Sequence, residues 1–144
     1  MKLEKVNYLA LAILAAMAGL MYFSALSDSA IMDELAHIPA GYSYLTQKDY
    51  RLNPEHPPLI KDLAAIPLLL QKVNFPLDTK AWQEDINGQW TQGAIFLYEA
   101  GNDADKIIFW MRLPMMLLAL FFGGLFFWWT KKNFGPSVAV LSLA

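Results

Sequence analysis

The chain has 144 residues, 56% of them apolar, with a formal net charge of −2, five Trp, seven Met and no Cys. That length supports one domain at most. The charge balance excludes a nucleic-acid binder, which needs a basic stripe to neutralise phosphates. The absence of Cys excludes a disulfide framework, a thiolate nucleophile and a zinc ribbon.

Residues 6–26 form the first apolar block, about twenty residues without a charge, enough to cross a hydrocarbon core about 30 Å thick. It reads as a transmembrane helix. A signal peptide competes, since Lys2 and Lys5 give a positive flank and small residues close the block, but typical apolar regions of such peptides are only about 7–15 residues long. The second block, 107–129, is interrupted only by Arg112 and Pro114 and should also span. Lys2 and Lys5 precede the first block and Lys131 and Lys132 follow the second, whereas residues 27–106 hold twelve acidic against six basic residues. Basic flanks stay on the cytoplasmic side, so both outer flanks are expected inside and the 27–106 loop outside. Trp110, Trp128 and Trp129 suit the interfaces, where indole rings prefer to sit. A turn at 133–136 then opens a further apolar run, 136–144, read as the start of a third span. The chain therefore reads as the front part of a longer multi-pass, all-α integral membrane protein.

The external loop is aromatic and proline-punctuated, with helical pieces expected near 58–72 and 90–98. Pro58 suits a first helical position because its missing N–H has no partner there. The 58–72 piece is too short to cross and is expected to lie in the interface, with Lys61 and Asp62 together on a polar side. The alternative is a core helix of a small external domain. In the stretch 43–53 the first half reads as helix.

Three polar clusters in the loop carry the candidate chemistry. Asp33 and Glu34 lie about seven residues beyond the first span; burial of either carboxyl would raise its pKa and suit it to general-base work. Asp33 and His37 would share a helical face, and the plain structural reading is that Asp33 caps a helix. The prolines of Asn53-Pro54-Glu55-His56-Pro57-Pro58 could fix the directions of Glu55 and His56, a carboxylate and an imidazole that can relay a proton or ligate a metal. With two His in the chain and no HExxH, the metal signal there is weak. Asp103 and Asp105 have D-x-D spacing that suggests a metal, but their place before the second span favours a helix cap. Arg112, inside the apolar block, needs either a partner or the interface: it snorkels to lipid phosphate, or it holds a carboxylate or a lipid-linked phosphate.

DELAHIPAGYSYL, DYRLNPEHPPLIKDLAAIPLLL and GNDADKIIFWMRLP together resemble the protein O-mannosyltransferase superfamily of GT-C glycosyltransferases, and more narrowly its bacterial and archaeal family-39-type members that use a phospholipid carrier. The resemblance covers nearly the whole chain. It implies transfer of a sugar from a polyprenyl-phosphate donor to an acceptor hydroxyl on the extracytoplasmic face of the plasma membrane, with inversion. Asp33 matches the acidic residue whose implied role is general base, and Glu34 its neighbour, which supports geometry or donor contact. His56, Pro57, Pro58, Leu59 and Lys61 match a His-Pro-Pro-Leu-x-Lys element that shapes the site. His37 stands four residues after Asp33 where the mannosyltransferases usually place it three after, which leaves its role open. The donor-side candidates are thus His37, Glu55, His56, Lys61 and Arg112, with the last two offered to the departing phosphate, which leaves as a stabilised anion. The implied partners are the polyprenyl-phosphate sugar, membrane lipids and a protein, lipid or glycan acceptor, and no cofactor is implied beyond room for a divalent metal. Two other classes stay open: a non-catalytic membrane assembly or partner-binding protein, and a membrane metalloenzyme built on Asp33, His37, Glu55 and His56.

Overall fold

The computed structural model describes residues 5–144, apart from the side chain of Ser27. Lys2, one of the basic flanks used above, lies outside the described residues. The described chain is helical, without strands: α1 (Lys5–Ser27), α2 (Met32–Gln47), α3 (Pro58–Ala65) continued by a 3₁₀ turn (Ile66–Leu70), α4 (Lys80–Gln83), α5 (Gln89–Ala94) continued by a π turn (Ile95–Glu99), α6 (Ala104–Phe134) and α7 (Pro136–Leu143). Two helical stretches, Lys5–Leu26 and Ala104–Phe134, are long and apolar enough to cross a membrane. Their bounds bracket the expected 6–26 and 107–129.

The chain divides into two compact units. In one, residues 5–25 and 115–144, Ala10, Phe127 and Ala139 form a small core flanked by Val6, Val140 and Leu143. Small residues there let helices approach: a Cβ on Gly123 would press on the Leu14 side chain. Lys131 Nζ donates to Asn7 Oδ1 at 3.0 Å. Gly135, at φ 88°, ends α6, and Pro136 opens α7 at a position where no N–H is needed.

The other unit, residues 26–114, is built around α2, which packs on α3 and α5. Two glycines explain how closely. A Cβ at Gly41 would overlap the Lys61 carbonyl, and one at Gly93 would overlap the Leu35 carbonyl. That second carbonyl is special: Pro39 sits inside α2 and has no N–H to bond Leu35, four residues earlier, so the helix ladder leaves it open and α5 closes on it. An aromatic core follows, with Tyr42 stacked on Phe96 at 5.6 Å and Phe75 edge-on to Trp82 at 5.3 Å. Ala40, Tyr44 and Leu52 extend it. The segment between residues 74 and 102 is closed at its base by two asparagines. Asn74 N–H donates to Asn102 Oδ1 (2.9 Å), and Asn102 Nδ2 donates back to Asn74 O (2.7 Å).

One sequence expectation is reversed. Lys61 is not on a solvated polar side of α3; it is 5% exposed, while Leu59, Ile60, Ile66, Leu69 and Leu70 stand out. The usual assignment of apolar residues to the inside fails because Tyr44 of α2 and the Asn53 and His56 oxygens of the loop before α3 surround Lys61 with acceptors rather than a greasy wall. The first half of 43–53 is helical, as expected, ending at Lys48 in the left-handed conformation. The 90–98 piece is found as α5 and its π continuation.

Candidate functional site

The start of α2 places two adjacent carboxylates in different environments. Glu34, at the third helical position, reaches back so that its Oε2 accepts the Ile31 N–H at 2.9 Å. The same carboxylate receives Arg112 in a fork, Nε to Oε1 at 2.8 Å and Nη2 to Oε2 at 2.7 Å. Arg112 also donates to the backbone carbonyls of Asp28 and Ser29, each at 2.9 Å. Two parallel N–H···O bonds to a carboxylate are the geometry that guanidinium favours. Burial pushes the Glu34 pKa up, but the bonds from Arg112 and from the Ile31 N–H outweigh it, and the net shift is downward. Asp33 points elsewhere: it is exposed and, among the described residues, has no hydrogen-bond or ion-pair partner.

Two expectations change here. The half-buried carboxyl is Glu34, and its pKa falls because Arg112 is beside it, so burial does not make Glu34 a high-pKa base. Asp33 does not cap α2 either, since the capping position is Ile31. Of the roles open to Arg112, the structure shows it holding a carboxylate.

One helical turn beyond Asp33, His37 meets His56, which precedes α3, with ring centroids 5.2 Å apart at 75°. Burial lowers the His37 pKa first, then the positive potentials of His56 and Lys61, against opposing pulls from Asp33 and Glu55. The Asp33–His37 spacing therefore does bring the two into electrostatic reach. Glu55 is exposed; its Oε1 accepts Asn53 Nδ2 and Gln89 Nε2, each at 3.0 Å. The Gln89 bond is the largest cause of its lowered pKa. Among the described residues no three His, Asp or Glu side chains are grouped so as to hold a metal ion. Asp103 Oδ1 accepts the Lys106 N–H at 3.0 Å, the bond of a helix cap on α6, and Asp105 lies exposed in the first turn.

Lys61 is where the structure departs furthest from a donor-binding role. Its Nζ lies 2.9 Å from Tyr44 Oη, 2.7 Å from Asn53 O, 2.9 Å from Asn53 Oδ1 and 2.9 Å from His56 O. An ammonium has three protons, so these acceptors saturate it, and no proton is left over for a phosphate. Tyr44 donates in turn to Leu52 O, and burial raises its pKa to about 12, which keeps the phenol protonated. Asn53, at φ 52°, passes the chain from its Nδ2 to Gln89 Oε1 at 2.7 Å. Lys61, Tyr44, Asn53 and Gln89 thus form one buried framework that shapes the 52–58 loop and presents His56 to His37. The prolines of this loop were legible in the sequence, but nothing there marks Tyr44 or Gln89 as partners of Asn53.

No protein-family model, curated protein or solved structure matches the chain.

Proposed function

We propose that this chain is part of a membrane glycosyltransferase that takes a sugar from a polyprenyl-phosphate donor and passes it to an acceptor hydroxyl outside the cytoplasm. In this reading α1 and α6 span the plasma membrane, their basic outer flanks are cytoplasmic, and α2–α5 lie on the extracytoplasmic side. The observation that carries it is the division of labour between neighbours: Glu34 is committed to Arg112, while Asp33, six residues beyond the end of α1, stays exposed and has no hydrogen-bond or ion-pair partner among the described residues. A lipid-linked sugar presents its scissile bond at headgroup level, where a residue so close to a span can reach it. The motif resemblance supports the same assignment.

The proposed step is a single displacement. The acceptor oxygen attacks the anomeric carbon and gives its proton to Asp33. The bond from that carbon to the phosphate oxygen breaks, polyprenyl phosphate departs as an anion, and the configuration inverts. Glu34 and Arg112 hold the start of α2 so that Asp33 faces the acceptor. Asp33→Asn, compared with the native protein in membranes supplied with radiolabelled polyprenyl-phosphate sugars, should lose transfer by at least about a hundredfold, the lower end for removing a general base, with donor binding retained. Equal transfer by the two proteins would remove Asp33 from the chemistry.

A further inference from the structure

Glu55 is an exposed residue with a buried support. Lys61 Nζ, which can only donate, faces Asn53 Oδ1 at 2.9 Å, so Asn53 Nδ2 is turned towards Gln89 Oε1 at 2.7 Å and Glu55 Oε1 at 3.0 Å. With its own oxygen occupied, Gln89 turns Nε2 to Glu55 Oε1 at 3.0 Å and to Asn87 Oδ1 at 2.7 Å. Lys61, Asn53 and Gln89 are all buried. One buried cation thus dictates the direction of both amides, and the series ends on a carboxylate at the surface. Both amides converge on Glu55 Oε1, and among the described residues no side chain donates to Oε2. The edge-to-face contact of His37 and His56 sets where that carboxylate stands. His56 follows Glu55 directly and His37 lies one helical turn past Asp33, so the ring pair draws the two carboxylates into one region. The two cations offered to a phosphate are already committed there, Arg112 to Glu34 and Lys61 to its four oxygens.

We propose that Gln89 is a positioning residue that holds Glu55 as a fixed acceptor for a hydroxyl of the transferred sugar, and so makes the site select a neutral sugar over one that carries a carboxylate; the proposal rests on the transferase reading above. A carboxylate gripped on one oxygen by two amides keeps its other oxygen in one place, and a few polar groups placed in this way fix a ligand's orientation. A sugar hydroxyl donates to that oxygen without any rearrangement of the protein. A sugar carboxylate has no proton to give and is repelled by Glu55 and Asp33, with neither Arg112 nor Lys61 free to receive it. Gln89 acts only through Glu55: its side chain is buried, and its amide nitrogen ends on the Glu55 and Asn87 oxygens.

The test supplies the full-length protein in membranes with a polyprenyl-phosphate hexose and, in parallel, the matching polyprenyl-phosphate hexuronic acid, and reads the ratio of kcat/KM for the two. That ratio does not depend on the amount of folded protein, so a merely structural defect leaves it unmoved. The native protein should prefer the hexose. Glu55→Gln, isosteric and at an exposed position, should shrink the preference by about tenfold or more, as expected for removal of a like charge. Gln89→Leu leaves the carboxylate present but unheld and should shrink it too. The two substitutions together should shrink it no further than Glu55→Gln alone, because residues that act through one group are not additive. Glu55→Asp, one methylene short of both amides, repeats the Gln89 arm without touching the interior should Gln89→Leu not fold. An unchanged ratio in any of these variants, additive effects of the pair, or a native preference for the hexuronic acid would overturn the proposal and leave the transferase reading standing. Transfer of neither sugar by the native protein would remove that reading and the proposal with it.

Discussion

The Arg112 guanidinium grips both carboxylate oxygens of Glu34 across 78 residues of chain, at 2.8 and 2.7 Å. The pair is mostly enclosed, with side-chain exposures of 17% and 21%. Removing one partner of a fully buried pair costs about 3–5 kcal/mol, and partial exposure reduces this, so Arg112→Ala should destabilise the protein by about 2–3 kcal/mol. Arg112→Lys keeps the charge but loses the fork and should recover only part of it. Thermal unfolding of the three proteins in one detergent checks the order native, Lys, Ala.

Acidification should loosen the His37 region. Burial, His56 and Lys61 hold the His37 pKa below its ordinary 6.5. As pH falls from 6.5 towards the folded-state value, the unfolded chain binds more protons than the folded one, and stability declines. Below the folded pKa the loss stops growing. Chemical denaturation at steps between pH 7.5 and 5 should show this slope in the native protein, and His37→Gln should flatten it; an unchanged slope would assign it to other groups.

Lys61→Met separates a scaffold from a phosphate ligand. Methionine fills a similar volume but leaves the Asn53 and His56 carbonyls and the Tyr44 oxygen without their donor. Hydrogen bonds to a charged group contribute about 1.5–3 kcal/mol, so a stability loss of about 2–4 kcal/mol is expected. A variant of native stability that had lost only donor affinity would contradict the buried-framework assignment.

Gly93→Ala places a methyl where the Leu35 carbonyl sits. Because the obstacle is backbone, α5 has to move away from α2. Overpacking of this kind costs about 1–3 kcal/mol, sometimes more. The same substitution at Gly19, which has open space around it, should cost no more than ordinary helix effects and serves as the control in an unfolding series.

Long apolar runs made α1 and α6 legible, and proline punctuation located α3. The Asp33–His37 spacing was legible because helical periodicity is local. The Glu34–Arg112 pair was only one of several options for Arg112, since nothing local joins residues so far apart. Lys61 was misplaced for a different reason. Amphipathic patterning assumes that water covers the polar side, whereas here that side is solvated by Tyr44, Asn53 and His56.

The Asn74–Asn102 clasp does the work that a disulfide does in many extracytoplasmic proteins, fixing the two ends of a 28-residue excursion with a pair of amides. An amide pair neither forms by oxidation nor opens with a thiol. In a chain without cysteine, closure of the aromatic segment is therefore indifferent to redox potential. It can be completed on either side of a membrane, without an oxidase and without a reductant to undo it.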